Sequence, residues 1–364
     1  MGREAAVMDW EQTFPFLREK GHVVSLVGGG GKTTLLYALS AHCAAKGWRV
    51  LTSTTTHIRK PLNVSWIAVE EEERIQEETT APLERAININ KKAQHEKGVW
   101  EDAVDKKTIC EDSECKMSAS VEGVSENAAW ENAGKERDRL WQQGTYVVAG
   151  TPALHEKLTI LPEQIRNTWI SDADITFLEA DGAKRLPCKF PAAHEPVLLP
   201  QSDIVLAVAG LSALYRPLGE VCFRAELACE EWNRAMRECR EAAYQKEGKR
   251  RFKEVPIFPQ ANAQEEPIFS KEAQLPCETF FSKFSKEMFI SKDTSLTPEL
   301  LAWLLGSENG ARKDIAGRSF FVVLNQTDTP KLREDGRKIL DILERTYGIR
   351  GVLTSFSETE RNQE

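Results

Sequence analysis

The sequence has no apolar run long enough to cross a bilayer, and its first 20 residues lack the apolar core of a secretory signal. Neither a membrane partner nor export is therefore expected, and the cytoplasm is the expected compartment. Trp10, Phe14, Phe16 and Leu17 instead predict a short amphipathic element near the start. None of the 8 cysteines forms a C-x-x-C pair, so neither a zinc knuckle nor a disulfide framework is indicated and free thiols are expected. Cys110 and Cys115 could hold a soft ion, although two thiols in polar sequence are usually incidental. A basic face is also missing. Residues 70–139, with 19 acidic against 11 basic side chains, account for the whole formal charge of −8. Nucleic acid is therefore not an expected partner.

What is present is a chain of 364 residues, 41% hydrophobic and 29% charged, enough for an ample core with polar additions. Its organising stretch begins with Val23 to Val27, which read as a short buried strand. Gly28, Gly29, Gly30 and Gly31 follow, then Lys32, Thr33 and Thr34, and Leu35 to Leu39 open a helical pattern. A glycine turn between a strand and a helix directs backbone N–H groups at an anion. Lys32 adds a point charge for terminal phosphates, and Thr33 adds a hydroxyl able to ligate Mg²⁺. Leu26 stands where the first glycine of G-x-x-x-x-G-K-[ST] belongs, so the loop is a shortened G-x-x-G-K-T-T.

Lys46-Gly47 reads as the end of that helix, and Trp48 to Leu51 as a second strand leading into Thr54-Thr55-Thr56-His57. Hydroxyls at the C-terminal end of a parallel strand lie on the ligand edge of an α/β sheet, where they could contact Mg²⁺, a γ-phosphate or an attacking water. Residues from about 70 to 144 are polar and read as a surface insertion; a second reads from about 242 to 292. Between them come strands at Tyr146 to Gly150, Ile175 to Glu179 and Asp203 to Gly210. Helical stretches are read around Leu161–Ile170 and Glu226–Glu241. The second strand of that set ends in Glu179-Ala180-Asp181-Gly182. A carboxylate is needed there to hold Mg²⁺, and Asp181 is placed for it, while Glu179 could orient or deprotonate a water. The proline-rich segment that follows carries Lys184, Arg185 and Lys189, which could meet an anion, and His194-Glu195, readable as a proton-transfer or ion-binding pair.

Thr297-Pro298-Glu299 predicts a capped helix start. The last strand read from the sequence is Phe320 to Leu324, followed by Asn325-Gln326-Thr327-Asp328. GTP-binding proteins carry N-K-x-D at this place, where the aspartate accepts from two guanine donors. Here the Lys is Gln326. The competing structural reading has Thr327 or Asp328 capping a helix that starts near Pro330. GTP and ATP both remain open as the nucleotide.

Together these residues resemble the selenium-dependent hydroxylase accessory protein family, the YqeC-like proteins. The resemblance rests on Gly28 to Thr34, Thr54-Thr55-Thr56-His57, Glu179-Ala180-Asp181-Gly182, Pro187-x-Lys189-x-Pro191 with His194-Glu195-Pro196, Arg224, Thr297-Pro298-Glu299 and Asn325 to Asp328. It implies an accessory role in maturing selenium-dependent molybdenum hydroxylases, with such a client or its machinery as partner. The expected fold is one α/β domain over residues 1–364, a doubly wound, mostly parallel sheet of the P-loop NTPase type with two polar surface insertions. The expected chemistry is Mg²⁺-dependent NTP binding and hydrolysis. Lys32, Glu179 and Asp181 are the catalytic candidates, Thr33 and Asp181 the metal ligands, and Asn325 and Asp328 hold the base. Thr54, Thr55, Thr56, Lys189, His194, Glu195 and Arg224 are the switch or substrate candidates. Two rivals are an ATP-dependent amide ligase of the Mur type, which shares the short loop, and an interaction protein that switches on nucleotide without turnover.

Overall fold

A computed structural model describes residues 9–61, 64–69, 126–252 and 289–356. Its frame is a sheet ordered β12-β11-β9-β1-β7-β2-β5-β6-β3, with β4 added beside β5. The strands are β1 (His22–Gly28), β2 (Val50–Thr54), β3 (His57–Arg59), β4 (Trp66–Ala68), β5 (Val147–Ala153), β6 (Lys157–Thr159), β7 (Ile175–Glu179), β9 (Ile204–Gly210), β11 (Ser319–Asn325) and β12 (Arg350–Leu353). A separate two-stranded piece pairs β8 (Cys188–Lys189) with β10 (Cys222–Phe223). All pairings around β1 are parallel; among the described strands the antiparallel ladders are those of β6 with β3 and β5.

The inner strands are continuous apolar runs because helices cover both faces. On one face, α2 (Lys32–Ala45) buries Leu35, Leu36, Leu39 and Cys43 against Val24, Leu26, Leu206 and Val208. The N-terminal turn α1 (Trp10–Thr13) and the 3₁₀ turn after it bring Phe14 and Leu17 to the same layer, as the aromatic pattern predicts. On the other face, α3 (Glu126–Gln142) and α4 (Glu163–Asp172) pack Leu140, Ile165 and Trp169 over Val23, Leu51 and Leu178. Beside them, Trp232 of α6 (Ala225–Phe252), Trp303 of α7 (Pro298–Gly306) and Ile339 and Leu343 of α8 (Pro330–Tyr347) cover Val205, Ala207 and Val322. The short α5 (Leu218–Val221) precedes β10. The sheet is thus mixed α/β and mostly parallel, as expected.

Several sequence expectations shift. Residues 126–142, read as part of a polar insertion, form α3, and Leu140 is buried while Trp141 donates from its indole nitrogen to the Val50 carbonyl at 3.0 Å. A helix with one apolar stripe among many charges reads as polar when only composition is counted. Helix α6 runs to Phe252, into the interval read as the second insertion. The rest of both intervals, 70–125 and 253–288, and with them Cys110 and Cys115, lies outside the described residues. The strand β12 follows β11, so Phe320 to Leu324 is not the last strand. Helix α8 is capped by Thr329, whose side chain accepts from the Leu332 N–H, and not by Thr327 or Asp328. The Thr297 cap stands where the sequence puts it, accepting from Leu300 N–H at 3.2 Å with Pro298 at the first position. Among the described residues no helix is long and apolar enough to cross a membrane. The described cysteines are free thiols, four of them buried; burial pushes the Cys43 thiol up to about 12.

Candidate functional site

The winding of the sheet reverses at β1. The chain moves from β1 through α2 toward β2 on one side, and from β9 to β11 and β12 on the other. Ligands of open α/β sheets bind beyond the C-terminal strand ends at such a reversal. The glycine loop lies there. Gly30 has φ 74, and a Cβ on it would sit 2.2 Å from the Gly210 nitrogen, so only glycine lets the loop lie flat on the end of β9. Gly31, at φ 104, is the N-cap of α2.

The loop's N–H groups divide into two sets. Gly28 N–H donates to both carboxylate oxygens of Asp181, at 3.1 and 3.0 Å. Gly29 N–H bonds the Val208 carbonyl at 2.9 Å and Gly30 N–H the Leu186 carbonyl at 3.1 Å. The first N–H groups of α2, from Lys32 and Thr33, precede any intrahelical acceptor and carry the positive end of the helix dipole. The donors at the positive end of the helix dipole therefore begin later in the loop than a tally of its glycines implies.

The register brings carboxylates to this point. Leu26 pairs with Glu179, and Glu179 with Thr54, in one row across β1, β7 and β2. Thr33 Oγ1 donates to Glu179 Oε2 at 2.9 Å. Lys32 is 5% exposed; its Nζ donates to the Gly28 carbonyl at 2.6 Å and lies 3.1 Å from Asp181 Oδ1 and 3.9 Å from Glu179 Oε1. Burial works against the ammonium, but Asp181 and Glu179 outweigh it and hold its pKa above the ordinary lysine value. Lys32 therefore stays charged at neutral pH, and the stability it contributes is lost only as pH rises through that elevated value.

A chain of ion pairs leads outward from Asp181. Lys189 Nζ is 3.1 Å from Asp181 Oδ2 and 2.9 Å from Glu195 Oε2, and Arg224 closes on Glu195 through both guanidinium nitrogens. Three cations and three carboxylates are thus joined in one line from the glycine loop to the start of α6. Burial pushes the Glu195 carboxyl up, but the bonds from Lys189 and Arg224 prevail and hold it below the usual carboxylate range. Lys313, which the sequence reading did not single out, donates to the Ala193 and Glu195 carbonyls at 2.8 Å each. Phe223 also went unnoticed as a site element: Arg224, Lys184 and Lys189 lie 4.3, 5.0 and 5.8 Å from its ring centroid. Lys313 meets carbonyls more than 100 residues away, and Phe223 gathers Lys184 and Lys189 from a separate segment beside the adjacent Arg224, so neither stands out by local pattern.

The remaining candidates divide. His194 is exposed while Glu195 is buried and held by Lys189 and Arg224, so the two adjacent side chains lie in different environments. Thr54 Oγ1 donates to the Glu179 carbonyl at 2.8 Å and Thr55 Oγ1 to the Val197 carbonyl at 2.7 Å; both brace the strand ends. Thr56 Oγ1 is buried and has no hydrogen-bond partner among the described residues. Of the two expected metal ligands, Thr33 Oγ1 bonds Glu179, while Asp181 accepts from Gly28 N–H and pairs with Lys32 and Lys189. Asn325 Nδ2 donates to the Gly30 carbonyl at 3.0 Å, tying the end of β11 to the glycine loop. Asp328 is exposed, and its Oδ1 accepts from Ser355 Oγ at 2.6 Å.

Thr33 and Glu179 present hard oxygen atoms of the kind Mg²⁺ takes. Among the described residues no group of three or more His, Cys, Asp or Glu side chains is placed to hold a metal. An ion here would take at most a hydroxyl and a carboxylate or two from the protein, the usual pattern where phosphate and water supply the rest.

Fold and site together define an open α/β protein with a glycine loop, an adjacent lysine and paired carboxylates at the sheet's topological switch. The YqeC protein family profile matches residues 24–226, more than half of the chain, and the chain belongs to that family. It is also 28% identical over 191 residues to the uncharacterized protein YqeC of Escherichia coli (strain K12), a match covering 52% of this chain and 51% of that protein. The chain thus spans about half the length of this curated relative. No solved structure matches it.

Proposed function

We propose that this chain binds a nucleoside triphosphate with Mg²⁺ at the glycine loop and hydrolyses it, as an accessory protein in the maturation of selenium-dependent molybdenum hydroxylases. The observation that carries the nucleotide reading is the position of Lys32. It is buried and charged, and held by a backbone carbonyl and a carboxylate that a polyphosphate can replace. Its own loop precedes a helix whose first N–H groups favour an anion.

In this reading the N–H groups of Lys32 and Thr33 and the Lys32 ammonium hold the terminal phosphates. Thr33 and Glu179 would hold Mg²⁺, with Asp181 beyond them. The ion would neutralise phosphate charge and polarise the transferred phosphoryl group. Asp181 keeps the Gly28 N–H and Lys189 in place when Lys32 turns to the phosphates. Thr56, whose buried hydroxyl has no hydrogen-bond partner among the described residues, is the candidate to bind the attacking water. The accessory role comes from the family resemblance.

A non-hydrolysing switch is the second reading, favoured by the commitment of both Glu179 and Asp181 to protein donors. Phosphate release distinguishes the two. Turnover above a Lys32→Ala control, dependent on Mg²⁺, supports hydrolysis; tight nucleotide binding with no release above that control supports the switch. For the accessory role, a selenium-dependent hydroxylase produced with and without this protein should differ in specific activity. Equal activities would remove that part of the proposal.

A further inference from the structure

The loops after β11 and β12 meet beside the glycine loop, and their side chains bond one another in a fixed order. Asn325 bridges them: Nδ2 donates to Gly30 O at 3.0 Å, while Oδ1 accepts from Gln326 N–H at 2.8 Å and from Thr354 Oγ1 at 3.3 Å. Thr327 Oγ1 donates to the Thr354 carbonyl at 3.0 Å. Three residues beyond Asn325, the exposed Asp328 accepts from Ser355 Oγ at 2.6 Å. Gln326, at φ 63, turns aside, and its amide oxygen accepts from Ser212 Oγ. An exposed carboxylate is thus oriented by a hydroxyl, on a loop whose base is pinned to the glycine turn.

We infer that the nucleotide taken by this site is a guanine nucleotide, read by Asp328, with Ser355 as the residue that positions the carboxylate. The inference rests on the nucleotide reading above and deepens it. The chemistry is one of matching donors. The guanine edge offers N1–H and the 2-amino group side by side, and a carboxylate accepts both. Adenine offers an acceptor at N1 with no 2-amino group, so the same carboxylate meets a lone pair and gains nothing. A hydroxyl bond to Oδ1 removes rotational freedom that an exposed aspartate would otherwise lose on binding. Asn325 links this element to Gly30, so the base reader and the phosphate loop keep a fixed separation.

The test is competitive titration of Mg²⁺-GTP, Mg²⁺-ATP and Mg²⁺-XTP on the full-length protein, wild type against Asp328→Asn, Ser355→Ala and Ser355→Thr. Xanthine carries a carbonyl where guanine has the 2-amino group, so an amide at position 328 should suit it better. The wild type is expected to prefer GTP over ATP by at least tenfold. Asp328→Asn should collapse that preference and raise affinity for XTP relative to GTP by at least tenfold. Ser355→Ala should lower the GTP-to-ATP ratio several-fold, and Ser355→Thr should restore it; a merely structural hydroxyl would lower both affinities together. Equal wild-type affinity for GTP and ATP, or an Asp328→Asn protein with no gain for XTP, overturns the guanine inference while leaving nucleotide binding standing. Absence of binding by all three nucleotides to the wild type overturns both.

Discussion

At the scale of single residues, Glu195 is the clearest point of stress. It is 7% exposed and holds two cations, Lys189 and Arg224. Removing one charge from a buried group costs about 3–5 kcal/mol because its partners are left uncompensated. Glu195→Gln should therefore lose about 3 kcal/mol in denaturant unfolding, at the lower end because Arg224 is partly exposed. The sign of the pH effect follows from the lowered carboxyl. Its stabilisation is present above the ordinary value of 4.5 and is lost as pH falls through the depressed one. The stability profile of Glu195→Gln below pH 4.5 should accordingly be flatter than that of the wild type; parallel acid limbs would show that the ion pairs carry no such linkage. Lys32, Glu179 and Asp181 are legible in the sequence because Lys32 begins a helix, Glu179 ends an apolar strand and Asp181 follows that strand within two residues. The partner of each is not, since it depends on how far the carboxylate chain reaches beyond its strand. Asp181, two residues after Glu179, curls back to Gly28 N–H and leaves Thr33 to Glu179.

At the scale of elements, α7 and α8 meet through a glycine. A Cβ on Gly306 would lie 2.4 Å from the Tyr347 ring, so the two helices approach more closely than alanine allows. Gly306→Ala should cost about 1–3 kcal/mol through overpacking, against any gain in helix propensity. Full wild-type stability in urea would mean that Tyr347 rotates away at little expense. Trp303 on α7 stacks edge-on against Trp232, centroids 5.0 Å apart, and lies nearly parallel to Phe190 at 6.0 Å. Phe190 directly follows Lys189, so this aromatic cluster supports the strand that carries the ion-pair chain. Trp303→Ala should lose about 3–5 kcal/mol by cavity formation, read as a lowered denaturant midpoint. Caps and apolar runs made most of these elements legible: Thr297-Pro298 for α7, and the runs that became β1, β7, β9 and β11. Strand β12 was missed because Arg350 to Leu353 is short and only partly buried. The pair β8–β10 was missed because two-residue strands have no period to read.

At the scale of the whole molecule, the doubly wound order sets the site. With helices on both faces of the sheet, β1 becomes an inner strand flanked by β7 and β9, and the C-terminal edge collects Gly28–Thr33, Glu179, Asp181 and Asn325 in one place. Sequence order alone indicated an α/β sheet and a ligand edge. It could not show that the segment carrying Lys189 and Glu195 folds back over that edge, because that depends on the contacts of Leu186 and Pro187 carbonyls with Gly30 and Gly210 N–H groups. Nor could polarity separate α3 from its surroundings. The family match over residues 24–226 includes the glycine loop from its strand through Arg224, but not Asn325 or Asp328, so the phosphate half and the base half of the proposed site rest on different observations.

The central claim is that Lys32 serves a bound polyphosphate. Its most direct test is calorimetric titration of Mg²⁺-GTP and Mg²⁺-ATP into wild-type and Lys32→Ala proteins, with folding of both checked by circular dichroism. A charge-assisted contact to phosphate is worth about 1.5–3 kcal/mol, or about 10- to 100-fold in affinity. The expected result is saturable binding by the wild type and a loss of that size in the folded variant. Equal heats and equal affinities in the two folded proteins would contradict it.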